Sequence, residues 1–302
     1  MKQLMESDTR QRMLHKISSL GRPGQSLRFL SVLPAYLFLT AVAVTVALPF
    51  FWMISTSLKS DIRAVFQLPP QWIPDEPRFA NYIDAWRAAP FTRYAFNSVL
   101  VAVSAVTLQL INACLSAYVF SRIHFRGRNA LFLLFLGVMM IPNQVLAVPN
   151  YIFLSRLKWL DTYLALILPF AASGFGTFLI RQSFLAVPRD LIDAAIVDGA
   201  NHLQILRHIM IPLSRPALVT FGLLSFTWRW NDYFWPLVMT NSKLMRTLPV
   251  GVALMRAGPE GGCRWHIVMA ASTIVILPAL VIFIIGQRYF VEGVAHTGLK
   301  GI

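Results

Sequence analysis

Long apolar runs set the first limit on what this chain can become. Six of them, at about 29–54, 98–120, 130–153, 162–180, 216–239 and 267–286, approach or exceed the ~20 residues a helix needs to cross about 30 Å of hydrocarbon. In lipid each backbone polar group must be satisfied within its own segment, so each run is expected to be helical. The expected fold class is an all-α integral membrane protein with six transmembrane helices. Composition agrees, because only 13% of the 302 residues are charged, about half the ~25% of soluble domains. The first run is longer than the roughly 7–15 apolar residues of a signal peptide, so it reads as a retained span.

Charge then orients the chain. Net charge is +14, from 27 Lys and Arg against 13 Asp and Glu. The basic residues sit between apolar runs and come with no separate soluble fold, which argues against nucleic acid and for the positive-inside rule. Residues 1–28 form a basic tail with Lys2, Arg10, Arg12, Lys16, Arg22 and Arg28 against Glu6 and Asp8. The loop after the second run carries Arg122, Arg126 and Arg128 and no acid. Both are expected in the cytoplasm, and an even number of spans puts both termini there. The loop at 56–95 then faces outward. Its 68–74 stretch, LPPQWIP, is expected to be extended, and Phe79, Tyr82, Ile83 and Trp86 recur at helical spacing. That helix suits a membrane surface or an external partner. Cys114 and Cys263 make neither a disulfide framework nor a zinc site.

The most informative stretch is the cytoplasmic loop at 188–212, PRDLIDAAIVDGANHLQILRHIMIP. Pro188 suits a helix start, and Asp190 and Asp193 are expected in the first turn, where the helix dipole favours acids. Gly199, after Asp198, is free to take positive φ and stop the helix. A second helical stretch at 201–210 leads to Pro212. The expected shape is a short coupling helix between spans four and five, a sharp corner and a second helix. Ala194 and Ala195 give a slim face, and Leu191 and Ile192 offer apolar contact. A rigid helix seated in a groove of a separate partner can transmit a rigid-body rotation.

Polar residues at membrane depth are costly and ask for a reason. Arg229 and Asp232 share a helical face and can pair. Trp228, Trp230, Tyr233 and Trp235 surround them in sequence, and Asn231 lies between. They suit an aromatic belt at the outer interface or a path for a sugar, which has both apolar and hydroxyl surfaces. Asn112, Asn143, Gln144 and Asn150 either line a path or join helices by hydrogen bonds. Pro34, Pro49, Pro142, Pro149, Pro236 and Pro278 interrupt the runs and tend to kink them.

The pattern Asp193-Ala194-Ala195, Gly199, Ile209 and Ile211-Pro212 resembles the EAA loop of bacterial ABC importer permeases. Asp193 stands where that family usually has Glu, and Ile211 where it usually has Leu. The stretch Phe50 to Lys59, Asn97-Ser98, Ile141-Pro142, Asn150, Trp230 to Leu237 and Gln287 to Gly293 are similar to the smaller permease of maltose-type carbohydrate uptake systems. The resemblance runs from about Leu33 to Ile302. It implies a transmembrane domain over 29–290 and a cytoplasmic C-terminal tail over 291–302, in the bacterial inner membrane. It also implies a second permease subunit, two copies of a cytoplasmic ATPase and an extracytoplasmic sugar-binding protein. Leu191, Asp193, Ala194, Ala195, Asp198, Gly199 and Pro212 would couple to the ATPase. Thr297 to Gly301 would also reach it, and the turn Gly258-Pro259-Glu260-Gly261-Gly262 would face the binding protein. Asn112, Asn143, Gln144, Arg229, Asn231 and Asp232 are the path candidates. No cofactor is expected on this chain, since ATP and Mg belong to the ATPase and the sequence has no G-x-x-x-x-G-K-[ST] phosphate loop. An ion-coupled secondary transporter would need acids near mid-membrane and an internal repeat. Asp232 is the only acid in the runs, and no clear repeat is seen. No H-E-x-x-H motif favours a membrane enzyme. No phosphate-binding cluster is evident, so a neutral sugar is the expected cargo.

Overall fold

A computed structural model describes residues 25–60, 62–256 and 263–298. Among them the chain is helical, without strands. The basic tail up to residue 24, the Gly258–Gly262 turn and the last four residues lie outside the described residues. The chain divides into a unit at 1–53 and a unit at 54–302. The first contains most of α1 (Gln25–Ser57), whose Leu33–Ser57 part has a mean hydropathy of 2.2 and no buried share. A helix that is apolar all round suits lipid or a protein partner.

In the second unit, α2 (Ala80–Arg87) is the expected short amphipathic helix. Phe79 and Ile83 are exposed while Ala85, Tyr82 and Trp86 pack inward. Asn81 fastens it, donating 2.8 Å hydrogen bonds to the carbonyls of Ser57 and Lys59. The stretch at 68–74 is non-helical, as expected.

The central helix is α3 (Phe91–Arg122). It begins seven residues before the apolar run, and Phe91 and Tyr94 in that added stretch are buried in the core. Its fully buried Ala102, Ala105, Ala113 and Ala117 let neighbouring helices approach closely. Around it pack α7 (Gly174–Ala186), α10 (Arg215–Trp230) and α12 (Leu248–Met255). Gly176 of α7 meets the Phe221 ring of α10 so closely that a Cβ would stand 2.3 Å from it. The final helix, α13 (Trp265–Gly298), is continuous through Pro278.

Three of the six runs are not the single helices expected. The third is split into α4 (Arg128–Gly137), extended by a 3₁₀ turn to Met140, and α5 (Ala147–Arg156). Ile141 before Pro142 is extended, since proline disfavours helix at the residue ahead of it. The fourth is split into α6 (Tyr163–Ile167), with a 3₁₀ turn to Phe170, and α7, bent by 41°. Ser173 caps α7, accepting from the Gly176 amide at 3.1 Å. The fifth ends at Trp230 and resumes as α11 (Phe234–Met239). Among the described residues three helices, Leu33–Ser57, Phe91–Arg122 and Trp265–Gln287, are long and apolar enough to span unbroken. The interruptions fall inside runs whose average hydropathy is high, although Asn143, Gln144, Ser173, Asn231 and Asp232 lie at the breaks themselves.

Candidate functional site: a braced corner and a second helix break

Helix α8 (Arg189–Val197) starts after Pro188, whose φ of −57° leads directly into the first turn. Asp190 lies in that first turn, but Asp193 stands one turn further in, which corrects the expectation for it. The end of α8 is a Schellman motif: the Gly199 amide donates to the Ile196 carbonyl at 3.0 Å and the Ala200 amide to Ala195 at 2.9 Å. Gly199 has φ +82°, the left-handed conformation that motif requires.

The corner is locked from its other side. Helix α9 (His202–Ile205) opens with a capping box, in which the Gln204 amide donates to Asn201 Oδ1 at 2.9 Å and the Asn201 amide to Gln204 Oε1 at 2.8 Å. The two motifs abut, so the backbone donors of residues 198–201 all have partners. A π-helical turn, Leu206–Met210, follows and runs into Pro212, which is half-buried. The chain then bends by 81° into α10.

One face of this corner is cemented to the helix bundle. Ile192, Ile205, Leu206 and Met210 are buried together with Cys114, Tyr118, Ile180, Phe184 and Phe221. Ala195 packs partly against the same cluster. Tyr118 Oη and His202 Nδ1 are 2.9 Å apart and hydrogen-bonded. Arg122 donates to the carbonyls of Phe184 and Val187, tying the end of α3 to the end of α7. The opposite face is bare. Leu191 is 47% exposed and Val197 86%, with Asp193, Ala194, Ile196, Asp198 and Gly199 exposed between them. Ile192 was expected on the contact face with Leu191; it points into the core at 8% exposure. Helical geometry explains this, because consecutive residues diverge by about 100°.

The second group of candidates gathers at the break after α10. Arg229 Nη1 and Asp232 Oδ2 are 2.9 Å apart, and both side chains are mostly buried. The Arg229 guanidinium lies 3.7 Å above the Phe170 ring, and Asp232 Oδ1 accepts the Trp235 amide at 3.2 Å. Asn231 is exposed and donates to the Thr227 carbonyl. The tryptophans do not enclose the pair as their spacing suggested. Trp230 stacks on Phe226 and donates to the Val275 carbonyl, while Trp235 donates to Ala165. Asn112 bridges α3 to the break in the fourth run through a 3.0 Å bond to the Ala171 carbonyl. Asn143 and Gln144 are exposed on the turn between α4 and α5, and Asn150 is half-buried on α5.

Sequence reading missed several supporting residues. The N-x-x-Q signature of the capping box was available in Asn201 and Gln204. Tyr118, His202 and Phe170 carry no local signal, because their partners lie on other elements.

A bundle of apolar, repeatedly broken helices with a braced two-faced corner at one end has the build of a membrane-embedded component. The chain belongs to the family described as binding-protein-dependent transport system inner membrane component, whose model matches residues 109–296. It is a permease subunit of an ATP-binding cassette importer. It is 30% identical over 280 residues to the sulfoquinovosyl glycerol transport system permease protein SmoH of Agrobacterium fabrum, covering 92% of this chain and 95% of that one. To the sn-glycerol-3-phosphate transport system permease protein UgpE of Salmonella choleraesuis it is 34% identical over 243 residues, covering 78% and 86%. A crystal structure of a bacterial ABC transporter involved in the import of the acidic polysaccharide alginate contains a chain with TM-score 0.78 and 26% identity, covering 89% of this chain and 99% of that one.

Proposed function

We propose that this permease carries a sugar or related polyhydroxylated solute across a bacterial inner membrane, paired with a second permease subunit. An extracytoplasmic binding protein delivers the solute, and two copies of a cytoplasmic ATPase, which bind ATP and Mg, drive the cycle. Six membrane passages, three of them interrupted, keep both termini and the 188–212 corner in the cytoplasm. The 1–28 tail, the 29–290 membrane domain and the 291–302 tail divide the chain on this reading. The cargoes named for its relatives, a glycosyl glycerol, a glycerol phosphate and an acidic polysaccharide, support the solute class. This chain supplies no ATPase site of its own.

The observation that carries the coupling role is the two-faced corner: Ile192, Ile205 and Met210 cemented inward, Leu191, Ala194 and Val197 bare outward. A helix so braced moves with the bundle. Asp193, Asp198 and Pro212 complete the surface and its stop. Gly199 is the test, since a Cβ there meets nothing within 4 Å and the penalty is conformational alone. Gly199→Ala should cost about 1–2 kcal/mol at the corner, and Gly199→Val more, because β-branching is disfavoured at positive φ. In proteoliposomes the assembled Gly199→Val transporter should reach wild-type abundance and lose most solute-stimulated ATP hydrolysis and uptake. Normal uptake by that variant would remove the coupling role from this corner.

A further inference from the structure

The break after α10 opens a cleft that none of the candidate path residues lines. It lies between α12 and α13, has a volume of about 970 Å³, and is bordered by Tyr233, Arg256, Trp265, Met269 and Ser272. Ligand clefts commonly measure roughly 300–1,000 Å³ and combine an apolar floor with a few placed polar groups. Here the floor includes Val252, Val268 and Met269. Tyr233 is 41% exposed, because the helix stops at Trp230 and leaves it in the interrupted stretch.

Arg256 gives the cleft its sign. Its guanidinium lies 5.3 Å from the centre of the Trp265 ring, an arrangement that holds the planar group while leaving its N–H edge available. Among the described lining residues there is no Asp or Glu. The C-terminus of α12 by itself favours a cation at this position. The dipole does not account for the aromatic surface or the open volume beside it. An aromatic face suits the C–H face of a pyranose, and an arginine fork suits phosphate, sulfonate or carboxylate.

We propose that this cleft is a binding subsite for an anionic sugar, with Trp265 and Tyr233 receiving the ring and Arg256 the acidic group. The proposal rests on the importer reading above and narrows its cargo from polyhydroxylated solutes to those bearing an anionic group. It replaces the neutral sugar expected from sequence, where no cluster of basic residues was visible because a single arginine and its platform come from two helices.

The test uses the transporter assembled with its partner permease and ATPase in nanodiscs, without the binding protein, so that any site observed belongs to the membrane complex. Glucose, glucuronate, glucose 6-phosphate and inorganic phosphate are titrated by ligand-observed NMR. Wild type should bind glucuronate or glucose 6-phosphate at least tenfold more tightly than glucose. Response to one or to both identifies which acidic group is preferred. Arg256→Gln should erase that preference while changing glucose affinity less than twofold, and Arg256→Lys should restore part of it. Trp265→Leu should weaken all three sugars. Equal wild-type affinity for glucose and the anionic sugars overturns the proposal. So does an unchanged preference in Arg256→Gln, or competition by inorganic phosphate as strong as that by glucose 6-phosphate. Solute-stimulated ATP hydrolysis by the Gly199 variants is scored separately, so the subsite can fail while the importer reading stands.

Discussion

At the scale of single residues, the Arg229–Asp232 pair shows how one carboxylate can do two jobs. Its Oδ2 neutralises Arg229 and its Oδ1 caps the Trp235 amide at the start of α11. Removing one partner of a buried pair leaves a charge without compensation, at a cost on the order of 3 kcal/mol. Asp232→Asn should therefore be strongly destabilising although it keeps an acceptor for Trp235. Arg229→Met combined with Asp232→Asn should be milder than Asp232→Asn alone, because both charges go and the cap stays. Thermal unfolding of the purified permease complex measures this, and additive losses from the two changes would contradict the pairing. An exchange of the two residues should rescue poorly, since arginine at 232 cannot accept from an amide. The i,i+3 spacing made the pair legible in the sequence. Phe170 beneath the arginine was not legible, because it comes from a different run.

At the scale of elements, the corner at 198–201 is built from two end-motifs placed back to back, one closing α8 and one opening α9. Each satisfies donors and acceptors that a helix end leaves open. Losing a capping side chain typically costs about 1 kcal/mol. Asn201→Ala and Gln204→Ala should each lower global stability by about that amount, and should reduce the ratio of solute uptake to ATP hydrolysis more than their stability cost suggests. If that ratio stays at wild-type values in both, the corner's rigidity is not what transmits the motion. The helix–corner–helix order was readable because Pro188, Gly199 and Pro212 punctuate it. The breaks at 141–146, 171–173 and 231–233 were not readable as breaks. Hydropathy averages side chains, whereas a break is decided by whether freed backbone groups find partners, as when Asn112 takes the Ala171 carbonyl. Pro142 marked the first of these places without distinguishing a kink from an interruption, whereas Pro236 and Pro278 sit inside helices.

At the scale of the whole second unit, α3 works as a spine gripped at both ends. At one end, Tyr118 and Arg122 hold the 198–201 corner and the end of α7. At the other end, Asn97 donates to the carbonyls of Leu244 and Arg246, Tyr163 donates to Asn97, and Ser98 Oγ accepts the Leu248 amide. Static contacts along α3 thus join the corner to the segment leading into α12, which borders the cleft. Asp161 completes the grip at this end: its Oδ1 accepts the Asn241 and Ser242 amides, each at 3.0 Å, and the Ser242 hydroxyl at 3.1 Å. Burial by itself would raise the Asp161 carboxyl, but these three hydrogen bonds outweigh it and hold the group below its ordinary value. A carboxylate depressed by folding contributes stability that is present above its unfolded pKa, about 3.9, and is lost as pH falls through the lower folded value. The stability advantage of wild type over Asp161→Asn should thus be constant from neutral pH down to about 5 and shrink steadily below about 4. Melting temperatures of both proteins across that range give the comparison. A difference that does not change with pH would mean that the charge of Asp161 contributes nothing to this grip, leaving the neutral hydrogen bonds to hold Asn241 and Ser242.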